Sequence, residues 1–494
     1  MPTEVKREVA AVDGLWLHMD TPENLMVIEG IMMFDDALDV ERAIDVLRVR
    51  LPERYPVFKQ KPVASRNPVG GDYWVSDPDF DIHDHIVFAD LGAGGDDADL
   101  QEYVSAQMSR PLDKTRPLWE VHFISNYLRG TAVLARFHHA MADGTALARV
   151  LLELTDDNPD DDLAEAENLK APGAVNEGQR HNLLGISRRV DSLIGGEPDG
   201  MRQRLLGQVD KIDEAAGTAK DSLAHKAMSG AHSVEKLASF DTVTDVWSVA
   251  KLAPTLVDKL FVTKLPASPV RGKAGVRKAA VWSKALDLNT IKAVSKAHGA
   301  TVNDVMIAAL AGAIRAYTLD HGGEPTDMST MVPVNLRPLD RPLPRELGNK
   351  FALVVLKLPI SGESPEERLA LTKAGMDKIK GSAEAMVTFG IIEGLGSFNA
   401  AMTQNLVGFF SSKGIGVTTN VIGPMQPRYF AGTRVQSVLG WAPSAGDQTI
   451  NECIFSCDGK IRVGFKVDYD TVPDAQRLVD AFDDELKALA ASAI

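Results

Sequence analysis

Residues 131–150, TAVLARFHHAMADGTALARV, constrain this chain more than any other stretch. The first seven are apolar except for Thr131 and Arg136, the texture of a strand covered on both faces. Leu147, Val150, Leu151 and Leu154 then recur at helical spacing. A buried strand, a short turn and an amphipathic helix in immediate succession belong to a layered α/β protein. The turn between them carries His138, His139, Asp143 and Gly144. Strand neighbours point to opposite faces, so only one of the two histidines can reach a given substrate. A neutral imidazole fixed at a strand end can take a proton from an attacking hydroxyl. A satisfied buried histidine is the structural alternative. Asp143 could hold the histidine in register or cap the helix, and Gly144 would allow a backbone conformation closed to residues with a Cβ.

The chain of 494 residues is too long for one compact core, so two domains are expected. Three textures follow along it. Residues 1–154 mix strands and helices: VIEGIMMF (27–34) reads as a strand. Val40, Ala43, Ile44, Leu47 and Leu51 then share a helix face behind a capping Asp39. Residues 155–265 open with an acidic Pro/Asp stretch that reads as an exposed linker. Intermittently amphipathic stretches such as 201–227 follow, read as interdomain helices. Residues 266–494 return to α/β texture. Met306, Ala309, Leu310, Ala313, Ile314 and Tyr317 form a helical stripe, and FALVVLKL (351–358) reads as a buried strand. Ser364, Pro365 and Glu367 make a helix start. Asp458-Gly459 joins two strands by a type I′ turn, and Leu478, Phe482, Leu486 and Leu489 mark a last helix.

A formal charge of −15 argues against nucleic acid as the main partner. An anionic ligand would therefore need a local basic cluster. RGKAGVRK supplies one in Arg271, Lys273, Arg277 and Lys278, which reads either as a phosphate site or as a solvated loop. His83 and His85 in HDH, taken as alternate residues of a strand, have metal-ligand chemistry without a third ligand nearby, so no metal is expected. Cys453 and Cys457 sit in one strand about 13 Å apart, beyond bridging distance, which suits a reducing cytoplasm. No signal core or membrane-length apolar run is visible. Met19, Met26, Met32 and Met33 could line an adaptable tunnel, with core packing as the default. Thr301 to Asp304 reads as a capping box, which favours a structural over a catalytic role for Asp304, while the amide of Asn303 is freer and could stabilise an oxyanion.

HHAMADG resembles the His-His-x-x-x-Asp-Gly motif of the bacterial wax ester synthase/diacylglycerol acyltransferase family, within the wider His-x-x-x-Asp group of CoA-dependent acyltransferases. Further blocks agree in order: VDGLWLHMDTPENLMVIEG near the start, RPLDKTRPLWEVHFI (110–124) and GATVNDVMIAALAGAIRAYT (299–318). VPVNLRP (332–338), LGN (347–349) and TNVIGP (419–424) complete the set. The resemblance implies two chloramphenicol-acetyltransferase-like α/β domains, 1–154 and 266–494, joined by a helical linker and enclosing a tunnel. It makes His139 the general base and His138 a scaffold residue. Asp143 becomes an architectural partner of an arginine, for which Arg337 is a candidate. The Asn303/Asp304 pair matters for activity, and Pro117, Leu118 and Trp119 lie near the acyl channel. The implied reaction moves a fatty acyl group from acyl-CoA, a co-substrate and not a cofactor, to diacylglycerol or a long-chain alcohol. Acyl transfer to an amine or a polyketide hydroxyl, and a non-catalytic lipid-binding or lipid-droplet role, are the alternatives. The implied setting is cytoplasmic, with peripheral contact to a membrane or lipid droplet and a possible homodimer. SPVRG stands where the family usually has an asparagine-glycine turn.

Overall fold

A computed structural model describes residues 6–65, 71–161, 265–337, 342–380 and 411–493. The interdomain helices expected within 155–265, 201–227 included, lie outside the described residues. Apart from Lys380, all described residues belong to one compact unit.

The N-terminal half runs β1 (Lys6–Glu8), α1 (Ala11–Met19), β2 (Val27–Phe34), α2 (Val40–Arg50), β3 (Gln60–Val63), β4 (Tyr73–Ser76), β5 (Ile86–Gly95), α3 (Asp97–Met108), β6 (Trp119–Tyr127), β7 (Gly130–His138) and α4 (Gly144–Glu153). The C-terminal half runs β8 (Lys278–Trp282), β9 (Leu286–Asp287), α5 (Leu288–Ala297), α6 (Val302–Asp320), β10 (Met328–Asn335), β11 (Phe351–Leu358) and α7 (Pro365–Lys380). It continues with β12 (Thr418–Ile422), β13 (Tyr429–Phe430), β14 (Thr433–Arg434), β15 (Ser437–Trp441), β16 (Ile450–Cys457), β17 (Lys460–Asp468) and α8 (Gln476–Ala491).

Two five-stranded sheets organise these elements, giving the mixed α/β class. One has the order β15-β2-β7-β6-β5, the other β12-β16-β17-β8 with β9 added to β17. All nine residues of β7 are buried, as its apolar run requires of a strand flanked by β2 and β6. The first sheet is not made by the N-terminal half alone. β15 pairs antiparallel with β2, with Gly440 opposite Gly30 and Val438 opposite Met32. The second sheet contains the β16–β17 hairpin, whose turn residues Asp458 and Gly459 take φ of 49° and 73°, the left-handed pair of a type I′ turn.

Local helix signals work as the sequence implies. Asp39 Oδ1 accepts from Arg42 N at 3.0 Å, and Ser364 Oγ from Glu367 N at 3.2 Å. α6 is long and apolar enough to cross a membrane, but 78% of that stretch is buried inside the protein, so it serves as the central helix of the second core.

Two local expectations need correction. HDH is not strand; Ile82–His85 is a 3-10 turn, and His85 stacks on Trp119 with ring centroids 4.4 Å apart. The acidic stretch does not loosen at its first residues either. Asp156 exchanges both backbone hydrogen bonds with Tyr429 and accepts from Arg50 at 2.8 Å. Two antiparallel backbone bonds and a buried guanidinium outweigh the local preference for solvent.

Candidate active site

β7 ends at His138, and the chain turns through 139–142 before Asp143 caps α4. His139 N donates to Met26 O at 2.7 Å, extending the β2 pairing by one residue and fixing the start of the turn. Alternation then separates the two rings. Phe137 and His139 line a large cavity. His138, which is not among that cavity's lining residues, accepts at Nδ1 from Ala140 N at 3.2 Å. That leaves the proton on its Nε2, which faces Asp20 Oδ2 at 3.8 Å. His138 is scaffold by geometry.

The His139 ring lies against the Trp16 indole, centroids 3.9 Å apart and planes inclined by 23°, with Phe351 at 5.7 Å. Burial among these rings penalises the imidazolium and pulls the His139 pKa down to about 4, against the opposing pull of the Asp143 carboxylate. The ring is therefore neutral near pH 7. Its Nδ1 has no hydrogen-bond partner among the described residues.

Asp143 is bound at both oxygens. Oδ1 accepts from Ala146 N at 2.9 Å and so caps α4. Oδ2 accepts from Lys350 N at 2.9 Å and from Arg337 Nη1. Arg337 Nη2 donates to Leu347 O at 3.0 Å and also to Gly348 O. The carboxylate thus ties the histidine turn to residues 347–350 of the other half. From the same loop, Asn349 Nδ2 donates to His139 O at 2.9 Å and to Asp13 Oδ1 at 2.8 Å. Asn349 N donates to the same Asp13 oxygen at 2.8 Å. Burial raises the Asp13 pKa to about 6, with the two Asn349 bonds pulling the other way. Gly348 takes φ 67°, and a Cβ there would lie 2.9 Å from Asp13 Oδ2, so glycine lets the loop close on Asp13.

The cavity, counted out to its open mouth, spans about 1380 Å³. Leu15 and Trp16 of α1, Leu147 and Leu151 of α4, and Phe351 and Phe455 from the C-terminal half contribute to its walls. Its lining is mainly apolar, as a lipid-sized ligand needs. Met19 and Met26 reach it; Met32 and Met33 do not.

Other expected site residues fall elsewhere. Gly144 does line the cavity, but not for a strained backbone: it is the first helical residue, with φ outside the left-handed region and nothing within 4 Å of a Cβ placed there. Its contribution is the space a side chain would take. Asn303 and Asp304 start α6 and are not among the cavity's lining residues. Asp304 closes a reciprocal box with Thr301, at 2.8 and 3.2 Å. Asn303 Oδ1 accepts from Asn420 Nδ2 at 3.3 Å, linking two of the motif blocks. Leu118 O accepts from His138 N at 3.0 Å. Trp119 Nε1 donates to Phe58 O at 2.9 Å. Pro117, Leu118 and Trp119 therefore back the histidine strand instead of walling the cavity.

The basic cluster disperses. Lys278 is buried and donates to Asp468 Oδ2 at 2.9 Å, because it opens β8 opposite Asp468. Arg271 donates to the carbonyls of Leu265 and Pro266 at 2.6 and 2.8 Å. Lys273 and Arg277 stay exposed, Arg277 over the Tyr469 ring at 3.7 Å. Only these two face outward for an anion. Asp13, Trp16 and Asn349, by contrast, were not singled out from the sequence. The resemblance covered their segments, but nothing local marks residues 336 positions apart as partners.

A mixed α/β fold in two halves, with a His-x-x-x-Asp turn opening on a cavity that both halves line, defines the His-x-x-x-Asp acyltransferase class. Within it, the chain belongs to the wax ester synthase/diacylglycerol acyltransferase family. Residues 9–306 match the wax ester synthase/diacylglycerol acyltransferase catalytic domain, and residues 347–490 the WS/DGAT C-terminal domain. A putative diacylglycerol O-acyltransferase of Mycobacterium tuberculosis (strain CDC 1551 / Oshkosh) is 26% identical over 97% of this chain and 89% of its own length. The probable diacylglycerol O-acyltransferase tgs1 of strain H37Rv is 26% identical over 94% and 90%. In fold, the chain is similar to the wax ester synthase/diacylglycerol acyltransferase of Marinobacter aquaeolei VT8: TM-score 0.64, 19% identity, 99% of this chain and 100% of that one. It is also similar to the first condensation domain of the calcium-dependent antibiotic synthetase, at TM-score 0.53, 16% identity, 99% and 96%.

Proposed function

We propose that this chain is an acyl-CoA-dependent O-acyltransferase that esterifies diacylglycerol or a long-chain alcohol, with His139 as general base. The observation that carries this reading is the neutral, desolvated His139 ring, held at its carbonyl by Asn349 and opening on a large apolar cavity. The acceptor hydroxyl gives its proton to His139 as its oxygen attacks the thioester carbonyl. The tetrahedral intermediate collapses with cleavage of the carbon–sulfur bond, and the leaving CoA thiolate recovers the proton from the imidazolium. Every atom is accounted for by the two substrates, so the step as written consumes no cofactor. Trp16 and Phe351 keep water from the ring, which favours the alcohol over hydrolysis. Lys273 and Arg277 are the exposed cations we assign to the CoA phosphates. From such oily acceptors we infer peripheral contact with a membrane or lipid-droplet surface.

The test is release of CoA thiol from palmitoyl-CoA with diacylglycerol, hexadecanol or a long-chain amine. We expect turnover with one or both alcohols and a loss of roughly 10²–10⁴-fold in His139→Ala. Full activity in that variant removes the base assignment. Turnover with the amine alone points to N-acylation. Lipid binding without thiol release from any acceptor points to a non-catalytic role.

A further inference from the structure

A second, smaller cavity, about 460 Å³ when counted out to its open mouth, adjoins the first. Ala148, Leu151, Val421 and Phe455 line both, so these four side chains form the wall or throat between them. Strand register shows which way the throat runs. Ile28 and Gly30 of β2 line the large cavity and Met32 the small one, and alternate strand residues share a face. On β15, Gly440 opposite Gly30 lines the large cavity and Val438 opposite Met32 the small one. The two spaces therefore succeed one another along a single sheet face, over about 13 Å from Ile28 to Met32.

The midpoint of that path is a cross-strand pair of glycines. A Cβ on Gly30 would lie 2.8 Å from Leu151 Cδ1, and one on Gly440 would lie 2.8 Å from Phe455 Cζ. The tips of Leu151 and Phe455 thus rest directly on the two glycines, and only glycine allows that approach, so the throat is closed by two side-chain ends that can rotate aside. The polar side chains beside the small cavity bond locally. Arg428 donates through Nε to Thr155 Oγ1 at 2.9 Å, through Nη2 to Thr155 O and through Nη1 to Asp157. Thr155 Oγ1 in turn donates to Leu152 O at 2.7 Å, and Ser456 Oγ accepts from Gly423 N at 3.3 Å. His139, in contrast, lines the large cavity.

We propose that the small cavity receives the distal end of a substrate's saturated alkyl chain, which passes over Gly30 and Gly440 as the Leu151 and Phe455 side chains swing aside. This proposal rests on the acyltransferase reading above: the reacting carbonyl stays at His139 while the chain runs along β2 toward Met32 and Val438. A long chain fills the second space and a medium chain ends before the throat, so the glycine pair sets chain-length preference. The alkyl chain can belong to the acyl-CoA or to the acceptor alcohol, and the experiment separates the two.

Palmitoyl-CoA and hexadecanol carrying a diazirine at the terminal carbon are photolysed separately on the full-length protein, and adducts are mapped by mass spectrometry. We expect adducts on Met32, Val438 or Cys457 from one of the two probes, which identifies the source of the chain. Adducts from both probes confined to residues lining only the large cavity, such as Leu15, Trp16 or Phe351, overturn the proposal. Labelling needs no turnover, so it decides the question even if thiol release, and with it the acyltransferase reading, fails. In the kinetic arm, Gly440→Val and Val438→Phe lower the long-to-medium ratio of kcat/KM at least tenfold. The ratio is palmitoyl- against octanoyl-CoA in one series and hexadecanol against octanol in the other. A ratio is independent of how much protein folds, and Val438→Phe fills the small cavity without disturbing the glycine pair. Unchanged ratios in both series overturn the chain-length assignment.

Discussion

Two helix starts carry the acidic residues of the motif blocks, and they use them differently. At α4, Asp143 spends one oxygen on Ala146 N and gives the other to Arg337 and Lys350 N of the opposite half. At α6, Asp304 spends its bonds locally, accepting from Thr301 N while donating its own N–H to Thr301 Oγ1. Its second oxygen is buried without a partner among the described residues. Both acids serve a helix start, Asp143 as the cap of α4 and Asp304 as the third residue of α6 behind its cap Thr301, yet only Asp143 is also a tertiary tie, and only α4 begins at the cavity. A capping acid becomes part of a site when its second oxygen is aimed away from its own helix.

The largest effect tests that tie. Arg337→Leu leaves the buried Asp143 carboxylate with backbone donors alone, and loss of one partner of such a pair costs about 3–5 kcal/mol. Denaturant melts should show a destabilisation of that order. The remaining folded enzyme should lose kcat, because the 347–350 loop that holds His139 O through Asn349 loses two carbonyl contacts to Arg337. Loss of less than about 1 kcal/mol, the range of an exposed pair, would make the two helix starts equivalent after all.

Asp13 comes next, as the second acid that fastens the same loop. Its pKa is raised to about 6, so it takes up a proton more readily in the folded state than its ordinary value of 3.8 allows. A raised acid contributes stability that is complete below the unfolded pKa and is lost as pH rises through the folded one. Asp13→Asn keeps an oxygen to accept both Asn349 bonds and removes the ionisation. The variant should therefore gain on wild type between pH 4 and 6.5, by up to about 3 kcal/mol. A stability difference that stays level over that window would show that Asp13 is not burdened by its charge. Asp13→Ala should instead lose stability at every pH, since it strands two buried donors at about 1–3 kcal/mol each.

Much of this arrangement was legible in local pattern. The spans of β2 and β11, the α8 stripe and the Asp458-Gly459 hairpin follow from periodicity and turn chemistry. The separation of His138 from His139 follows from strand alternation. What could not be read is what arrives from far along the chain. β15 joins the first sheet from residue 437 onward, Asn349 meets Asp13 across 336 positions, and Lys278 meets Asp468 across 190. A basic residue beside three others looks like a phosphate site until its strand partner is known. Gly144 misled for a related reason: glycine freedom suggests backbone strain, whereas the cavity beside it needs only an absent side chain.

At the other helix start a smaller loss is expected. Asp304→Ala removes half of a capping box, and such caps contribute about 1 kcal/mol. Because Asp304 is not among the residues lining the cavity, kcat/KM per folded molecule should not change. Asn303 gives the sharper contrast, since its amide was the candidate oxyanion donor. It is not among the residues lining the cavity, and its Oδ1 accepts from Asn420, so Asn303→Ala should affect the melting temperature more than kcat. A fall of 10²–10³ in kcat, typical for loss of an oxyanion donor, would move α6 into the catalytic machinery and erase the contrast.

The smallest expected effect is in the pH profile, and it reports on the same comparison. His139 acts as a base only when unprotonated, and burial holds its pKa at about 4. The rate should be level from pH 5 to 8 and fall toward a midpoint near 4, where an ordinary histidine would begin to fail near 6.5. The Asp143 carboxylate raises the His139 pKa against the larger effect of burial. Asp143→Asn removes that charge while keeping an oxygen for the cap, so its midpoint should move further toward acid. Asp304→Ala should leave the midpoint where it is. A wild-type midpoint near 6.5 would mean that water reaches the ring past Trp16 and Phe351. Desolvation would then no longer explain how this histidine stays neutral, and the case for a closed, alcohol-selective site would have to rest on the Asp143–Arg337 tie alone.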